Sequence, residues 1–332
     1  MIKMTVRITV FLFALCLVCA SVWGQKREYV IVVHGGAGTL SALENNPALS
    51  SAYRSALDTA LQTGAALLDK GRPGSEAVIA TIQYLENNPL FNAGKGATVS
   101  AEGNFELDAS FMRGSDLAAG AVAGVRTVKN PISAAYAVMS VTQHVMLSSA
   151  GADRFAKEHG LETVDDNLYF ATPETLQKIE AMKKANDKNG TVGCVVLDKN
   201  GDLYAGTSTG GMFKKQWGRI GDSPVIGAGT YADNNSCAVS CTGHGEYFIR
   251  HVVAFNLCAR YKYLHETVEE AANHIIYNEL NANAGNGGLI AIDKNGNIAM
   301  PFNSQGMFRG YIYKQQDNPM IVKKIGIHND LE

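Results

Sequence analysis

Gly190-Thr191 is the dipeptide with the most chemistry latent in it. A threonine hydroxyl is a poor nucleophile until a base lies beside it, and one solution is the residue's own α-amino group. That amine exists only once the peptide bond before Thr191 is cut. Its ordinary pKa of about 7.7–8.0 leaves part of it neutral near pH 7, where a general base works best. Glycine at 190 suits such a scission. Lacking a Cβ, it tolerates the strained backbone in which the hydroxyl attacks the Gly190 carbonyl. Taken alone, the pair reads more simply as a glycine helix cap before a residue of high β propensity.

Two other segments supply charge and backbone donors. "GRIGDSP" (218–224) sets Arg219 and Asp222 three residues apart in a turn closed by Pro224. An amino-acid head group is a zwitterion, so its reader needs a planar cation for the carboxylate and an anion for the ammonium. The same pair alone also reads as a surface turn with a local ion pair, stabilising by about 1 kcal/mol at most. "TGHGE" (242–246) places Thr242, Gly243 and Gly245 between a strand and a helix, where unpaired N–H groups suit a developing oxyanion. A helix cap in a tight turn is the alternative there. His244 sits in this loop and is read as a loop residue rather than a base. "HGGAG" (34–38) follows a strand but lacks the Gly-x-Gly-x-x-Gly spacing and the Lys-Ser/Thr pair of phosphate loops.

In combination these pieces resemble the plant-type asparaginase and isoaspartyl peptidase family of N-terminal nucleophile hydrolases. The resemblance is carried by "GTVGCVVLDKNGDLYAGTSTGG", "GRIGDSPVIGAGTYADN", "AVSCTGHGE" and "NGGLIAIDKNGNIAMPFNSQGMFRG". It runs back through "HGGAG", "NPLFNAGKGA" and "ELDASFM", and is weakest over 155–190. It implies self-cleavage at Gly190-Thr191, giving an α subunit (25–190, with 155–190 a flexible linker) and a β subunit (191–332). Thr191 would then be the nucleophile, with Thr209 of "TSTGG" tuning it and Asn92 of "FNAGKG" close by. Arg219 would hold the substrate α-carboxylate and Asp222 its amine. Thr242 and Gly243 would form the oxyanion hole, and the Gly245 carbonyl would face the ammonium. The resemblance further implies no catalytic cofactor and a dimer of αβ heterodimers. It also implies a structural Na⁺ held by backbone carbonyls of Leu85, Glu86, Asn88, Phe91, Ala93 and Lys95.

The activity so implied is hydrolysis of the side-chain amide of L-asparagine and of β-aspartyl (isoaspartyl) dipeptides through a Thr191 acyl ester. The related glycosylasparaginases are the alternative. They read "TSTNG" with Asp before the threonine, against "TSTGG" and Gly190 here. A non-catalytic amino-acid-binding protein is a further alternative, and it would need no cleavable bond.

Elements must position these groups, and most can be read. Residues 1–24 have the order of a secretory signal: Lys3 and Arg7, the apolar run 8–20, then small residues before cleavage near Gly24. An uncleaved anchor is the alternative. Losing the leader takes the formal charge from −2 to −4, which attracts neither nucleic acid nor an anionic membrane. The sequon Asn189-Gly190-Thr191 lies on the scissile bond, where a glycan would obstruct cutting; this favours a periplasmic over an endoplasmic destination. Cys194, Cys237, Cys241 and Cys258 show no zinc or disulfide-scaffold spacing and read as buried small residues.

Strands are expected at 28–36, 106–114, 118–126 and 236–243, and helices at 50–71, 73–89, 246–263 and 267–280. A helical stretch over 130–160 should break near Gly151. Asp-Lys-Asn-Gly occurs at 187–190, 198–201 and 293–296. The last two copies sit between alternating apolar runs and imply two-residue hairpins with antiparallel pairing. The first ends a polar segment directly against Thr191, which the resemblance explains as the disposable end of the α subunit. These elements suggest two packed sheets with helices outside, and the resemblance implies the fold class α/β (α+β), a four-layer αββα sandwich of the N-terminal nucleophile hydrolase type.

Overall fold

The apolar run from Tyr29 to Val33 is buried on both faces in the computed structural model, which describes residues 27–38, 40–43, 46–180, 190–316 and 320–332. Strand β1 (Arg27–Gly38) alternates its side chains, sending Ile31 and Val33 into one core and Val30 and Val32 into another. On one side it pairs with β5 (Val192–Leu197), followed by β6 (Leu203–Thr209), β2 (Leu107–Arg113), β3 (Ala119–Val125) and β4 (Met146–Ser148). On the other side lie β11 (Gly306–Gln315) and β12 (Ile321–Gly326). All neighbours in this eight-stranded sheet are antiparallel except β3 and β4.

A second sheet has four strands in the order β10 (Ile298–Ala299), β9 (Gly287–Asp293), β8 (Cys237–Gly243) and β7 (Thr230–Ala232). The sheets face each other across a core that joins Val30, Val32 and Val195 to Ala238, Ile290 and Ile292. Helices α1 (Pro47–Asp69), α2 (Gly74–Asn87) and α3 (Pro131–Val141) cover the large sheet, packing Leu57, Leu61, Val78 and Ile82 against Ile31 and Val196. Asn46 caps α1 by accepting the Leu49 N–H at 3.0 Å, with Pro47 supplying the preset first turn. Three cores between four layers make the αββα sandwich expected from the sequence.

Both hairpins form, but with three-residue loops. Asp198 N–H bonds the Asp202 carbonyl at 3.0 Å, and Asp293 N–H bonds Asn297 in the same way at 3.0 Å. Gly201 and Gly296 take φ of 86° and 85°, the left-handed position that closes such loops. The expected break near Gly151 falls earlier. Thr142 turns extended, and its hydroxyl bonds the Val138 carbonyl at 2.8 Å and accepts the His144 N–H at 2.9 Å. The chain then pairs β4 with β3 before α4 (Ser149–Glu158), so Gly151 lies inside a helix. Tertiary strand pairing overrode local periodicity. The segment assigned as flexible linker holds the end of α4 and α5 (Pro173–Glu180); its residues 181–189 and the leader 1–24 lie outside the described residues.

The expected helix 246–263 is also divided. Val252 takes φ 48°, separating α6 (Gly245–His251) from α7 (Val253–Ala259). The bend lets Ala254 and Phe255 donate their N–H groups to Ala228 and Gly227 at 3.1 and 2.8 Å. Helix α8 (Val268–Asn273) joins α7 over the small sheet, where Leu257 and Ala271 pack on Val239 and Leu289. The four described cysteines are free and buried, with Cys237 and Cys241 on the same face of β8.

Candidate active site

Thr191 immediately precedes β5, a strand held on both edges near the middle of the large sheet, so its backbone has little freedom. Its hydroxyl donates to the Thr209 hydroxyl at 3.2 Å, and Thr209, the last residue of β6, donates to the Gly190 carbonyl at 3.1 Å. The Asn92 amide donates to that same carbonyl at 2.8 Å. Asn92 is itself fixed by bonds from its amide to Gly211 O (2.8 Å) and from Thr98 N–H to its oxygen (2.7 Å). The Gly190 carbonyl thus receives two donors while a hydroxyl stands one residue away. Room for this comes from β1: a Cβ on Gly36 would lie 2.9 Å from the Gly190 Cα.

His34 belongs to this centre and was not singled out in the sequence. Its Nδ1 lies 3.0 Å from the Thr191 carbonyl and its Nε2 lies 2.9 Å from the Ser240 hydroxyl. A carbonyl can only accept, so Nδ1 carries the proton and Nε2 accepts from Ser240. Complete burial pushes the imidazole pKa down to about 3, against the smaller opposing effect of the Thr191 bond. It is a neutral strut between the sheets. Ser240 continues into Thr207 at 2.7 Å, a buried hydroxyl chain that isolated serines and threonines in the sequence do not announce.

Arg219 and Asp222 do not pair with each other. Arg219 takes both oxygens of Glu246 in a side-on fork, Nε to Oε1 at 2.9 Å and Nη2 to Oε2 at 2.8 Å. Asp222 is buried, and its Oδ2 has no hydrogen-bond partner among the described residues. Burial raises its pKa to about 7; its own backbone N–H and Arg219 oppose this, while Glu246 and Asp108 add to it. That oxygen could accept from a ligand ammonium, which would also relieve the cost of burying the carboxylate. Gly245 lies against it, since a Cβ there would stand 2.9 Å from Asp222 Oδ1.

Thr242 is buried, and its hydroxyl oxygen accepts the Ala37 N–H at 3.2 Å, which leaves its proton free to donate. Gly243 takes φ 148° opposite Gly287 at 150°, and a Cβ on either would strike the other's backbone within 2.7 Å. A cavity of about 500 Å³ brings the named groups together: Gly190, Thr191, Thr209, Arg219, Asp222 and Gly243 all line it. His244 lines it too, with its Nε2 3.4 Å from Glu246. Asn92, Thr242 and Gly245 stand behind that lining. A larger cavity of about 740 Å³ at Tyr277, Arg309 and Tyr311 is lined by none of these groups.

The loop expected to hold Na⁺ is tightly wound. Glu86 O lies 2.3 Å from where a Cβ on Gly94 would sit, and Phe91 O lies 2.1 Å from the same point on Gly96. Carbonyls of Leu85, Asn88 and Ala93 each accept one backbone N–H, which leaves a lone pair on each. This donor set is all oxygen and fits a hard cation. The Glu86 carboxyl points elsewhere, to Ser208, Ile132 N–H and Asn130, and burial raises its pKa to about 7.

Residues 27–322 match the protein family described as Asparaginase. An isoaspartyl peptidase of Escherichia coli (strain K12) is 42% identical over 297 residues, covering 86% of this chain and 92% of that protein. An isoaspartyl peptidase/L-asparaginase of Mus musculus is 41% identical over 290 residues, covering 84% and 86%. A probable isoaspartyl peptidase/L-asparaginase 2 of Arabidopsis thaliana is 39% identical over 317 residues, covering 85% and 95%. With the match spanning nearly all described residues, the chain belongs to the Asparaginase family.

Proposed function

We propose that this protein is a self-processing amidohydrolase acting on the side-chain amide of L-asparagine and of β-aspartyl dipeptides. The observation that carries the reading is one cavity shared by the Thr191 hydroxyl, the Arg219 guanidinium and the idle Asp222 oxygen. The names of the relatives favour these substrates over glycosylated asparagine.

Self-cleavage comes first. Thr191 Oγ attacks the Gly190 carbonyl carbon and passes its proton toward Thr209, while Asn92 and Thr209 stabilise the carbonyl oxygen as it gains charge. The Thr191 nitrogen takes up that proton as the C–N bond breaks, which frees the amine and leaves the acyl group on Oγ; water then hydrolyses this ester, releasing the Gly190 carboxylate and the Thr191 hydroxyl. In turnover that amine takes the hydroxyl proton, and Oγ attacks the substrate's side-chain carbonyl. The Thr242 hydroxyl and Gly243 N–H hold the oxyanion, the leaving amine departs with the proton, and water releases aspartate. Arg219 and Asp222 bind the α-carboxylate and α-ammonium and so set the reacting carbon against Thr191. A Na⁺ on the 85–95 carbonyls would be structural, supplying loop rigidity and no chemical step. Export of the chain, with loss of residues 1–24, and assembly as a dimer of αβ heterodimers complete the proposal.

The test is amine or ammonia release from asparagine, glutamine, β-Asp-Leu, α-Asp-Leu and N-acetylglucosaminyl asparagine. Asparagine and β-Asp-Leu should be cleaved. In α-Asp-Leu the α-carboxylate is spent in the amide, and leaving Arg219 without it should cost roughly thirty- to several-thousand-fold in kcat/KM. Preference for the glycosylated substrate, or comparable cleavage of α-Asp-Leu, would overturn the reading. N-terminal sequencing of the mature protein should find a chain starting at Thr191; an intact, inactive chain that still captures amino acids would make it a binding protein.

A further inference from the structure

We infer that Glu246 is the positioning residue for the Arg219 guanidinium, clamping it in the one orientation that offers its free edge to a substrate carboxylate. The inference rests on the reading of this cavity as an aspartyl head-group site. Arginine presents five N–H donors along two edges, and a long flexible side chain must be held if the fork is to meet a carboxylate in plane. Glu246 takes the Nε and Nη2 edge with both of its oxygens, at 2.9 and 2.8 Å.

Two bare α-carbons leave room for the guanidinium in this orientation. A Cβ on Gly221 would lie 2.9 Å from Nη1, and one on Gly245 would lie 2.9 Å from Nη2. The guanidinium therefore rests on backbone, with its side chain 20% exposed. Among the described residues Nη1 has no acceptor, and the Nη1/Nη2 edge remains for a ligand in the cavity that Arg219 and Gly221 both line. Asp222 is the competitor that makes a clamp necessary. It is a buried carboxyl three residues along the chain with an idle oxygen, and an unrestrained Arg219 would swing to it. That collapse would abolish both halves of the head-group receptor at once. Glu246 stands in the first turn of α6, where its hydrogen bonds to Arg219 and the charge of that guanidinium hold its pKa below the ordinary carboxylate value, so it stays charged. It touches none of Gly190, Asn92 or Thr209, so its role is separable from self-cleavage.

The experiment uses the processed full chain and Glu246→Gln, which keeps the length but loses the charge and one acceptor. KM for L-asparagine should rise about 10- to 100-fold with kcat nearly unchanged. The inhibition constant of L-aspartate should rise in parallel, whereas that of β-alanine, which keeps the amine but lacks the α-carboxylate, should not move. Glu246→Asp, too short to span both donors, should recover part of the loss. If Glu246→Gln does not accumulate folded, Glu246→Asp must show the same selectivity for L-aspartate over β-alanine. An unchanged KM, or equal weakening of both inhibitors, would overturn the inference. A wild-type protein that fails to hydrolyse asparagine would instead overturn the proposed function.

Discussion

The hydroxyls of Thr191 and Thr209 share one hydrogen bond of 3.2 Å, and Thr191 is its donor. Thr209 spends its own proton on the Gly190 carbonyl, so in the proposed self-cleavage it would accept from the attacking group and donate to the attacked one. Replacing Thr209 by Val removes both functions and should slow self-cleavage by about 100-fold or more, while Thr209→Ser should process at a similar rate to wild type. Gel time courses of the freshly folded chain read this directly. A Thr209→Val chain that cuts normally would assign the proton to another acceptor.

Arg219→Lys keeps the charge and loses the fork. Lysine cannot hold Glu246 side-on and a substrate carboxylate end-on at once. We expect kcat/KM to fall by about 100-fold or more with self-cleavage retained, since Arg219 makes no contact with the scissile peptide. Steady-state kinetics on asparagine and one β-aspartyl dipeptide decide it. Unchanged constants would make Arg219 a purely structural partner of Glu246.

Asp222 must be ionised to receive an ammonium, and burial has raised its pKa to about 7. Below that pH the free protein carries a neutral acid there, so kcat/KM should decline as pH falls through 7 toward 6. The sign for stability is opposite: the folded state holds this proton more tightly than the unfolded chain, so folding weakens as pH rises between the ordinary carboxyl value and 7. Asp222→Asn should lower kcat/KM and flatten the acid limb. A limb that persists in the variant would belong to another group.

His34 titrates near 3 when folded and near the ordinary imidazole value when unfolded. Its contribution to stability is complete above about pH 6.5 and is lost as pH falls toward 3, amounting to a few kcal/mol on the order-of-magnitude scale of that shift. Thermal melts at pH 7, 5 and 4 should show Tm falling more steeply for the wild type than for His34→Gln. The variant itself should start lower at pH 7, because glutamine cannot reproduce both bonds, to Thr191 and Ser240. Parallel Tm curves would remove His34 as the source.

Most of the architecture could be read in advance, for an identifiable reason. Strands buried on both faces, such as β1 and β5, leave unbroken runs of Val and Ile, and the loops between them are marked by glycine and Asn-Gly. The residues proposed as nucleophile and head-group pair stood out because each lies in a compact motif along the chain. What escaped was built across the chain. His34 and Ser240 meet from 206 positions apart, and Arg219 chose Glu246, 27 residues away, over its neighbour Asp222. The break at Thr142 and the bend at Val252 likewise answer to partners on other elements, β3 and the 227–228 turn, which no local period encodes.

The strand order has a consequence for what a cut before Thr191 would do to the molecule's history. β1 precedes the cut, yet it lies between β5 and β11, which both follow it. The two products would therefore be interleaved within one sheet, and neither could leave without tearing a ladder on each side of β1. Nor could either piece complete that sheet alone. Before the cut, folding is a unimolecular reaction of a single chain; after it, recovery from full unfolding requires two chains to find each other at their prevailing concentration. The mature protein would then persist because its unfolding is slow, and dilution after a melt would make the loss permanent.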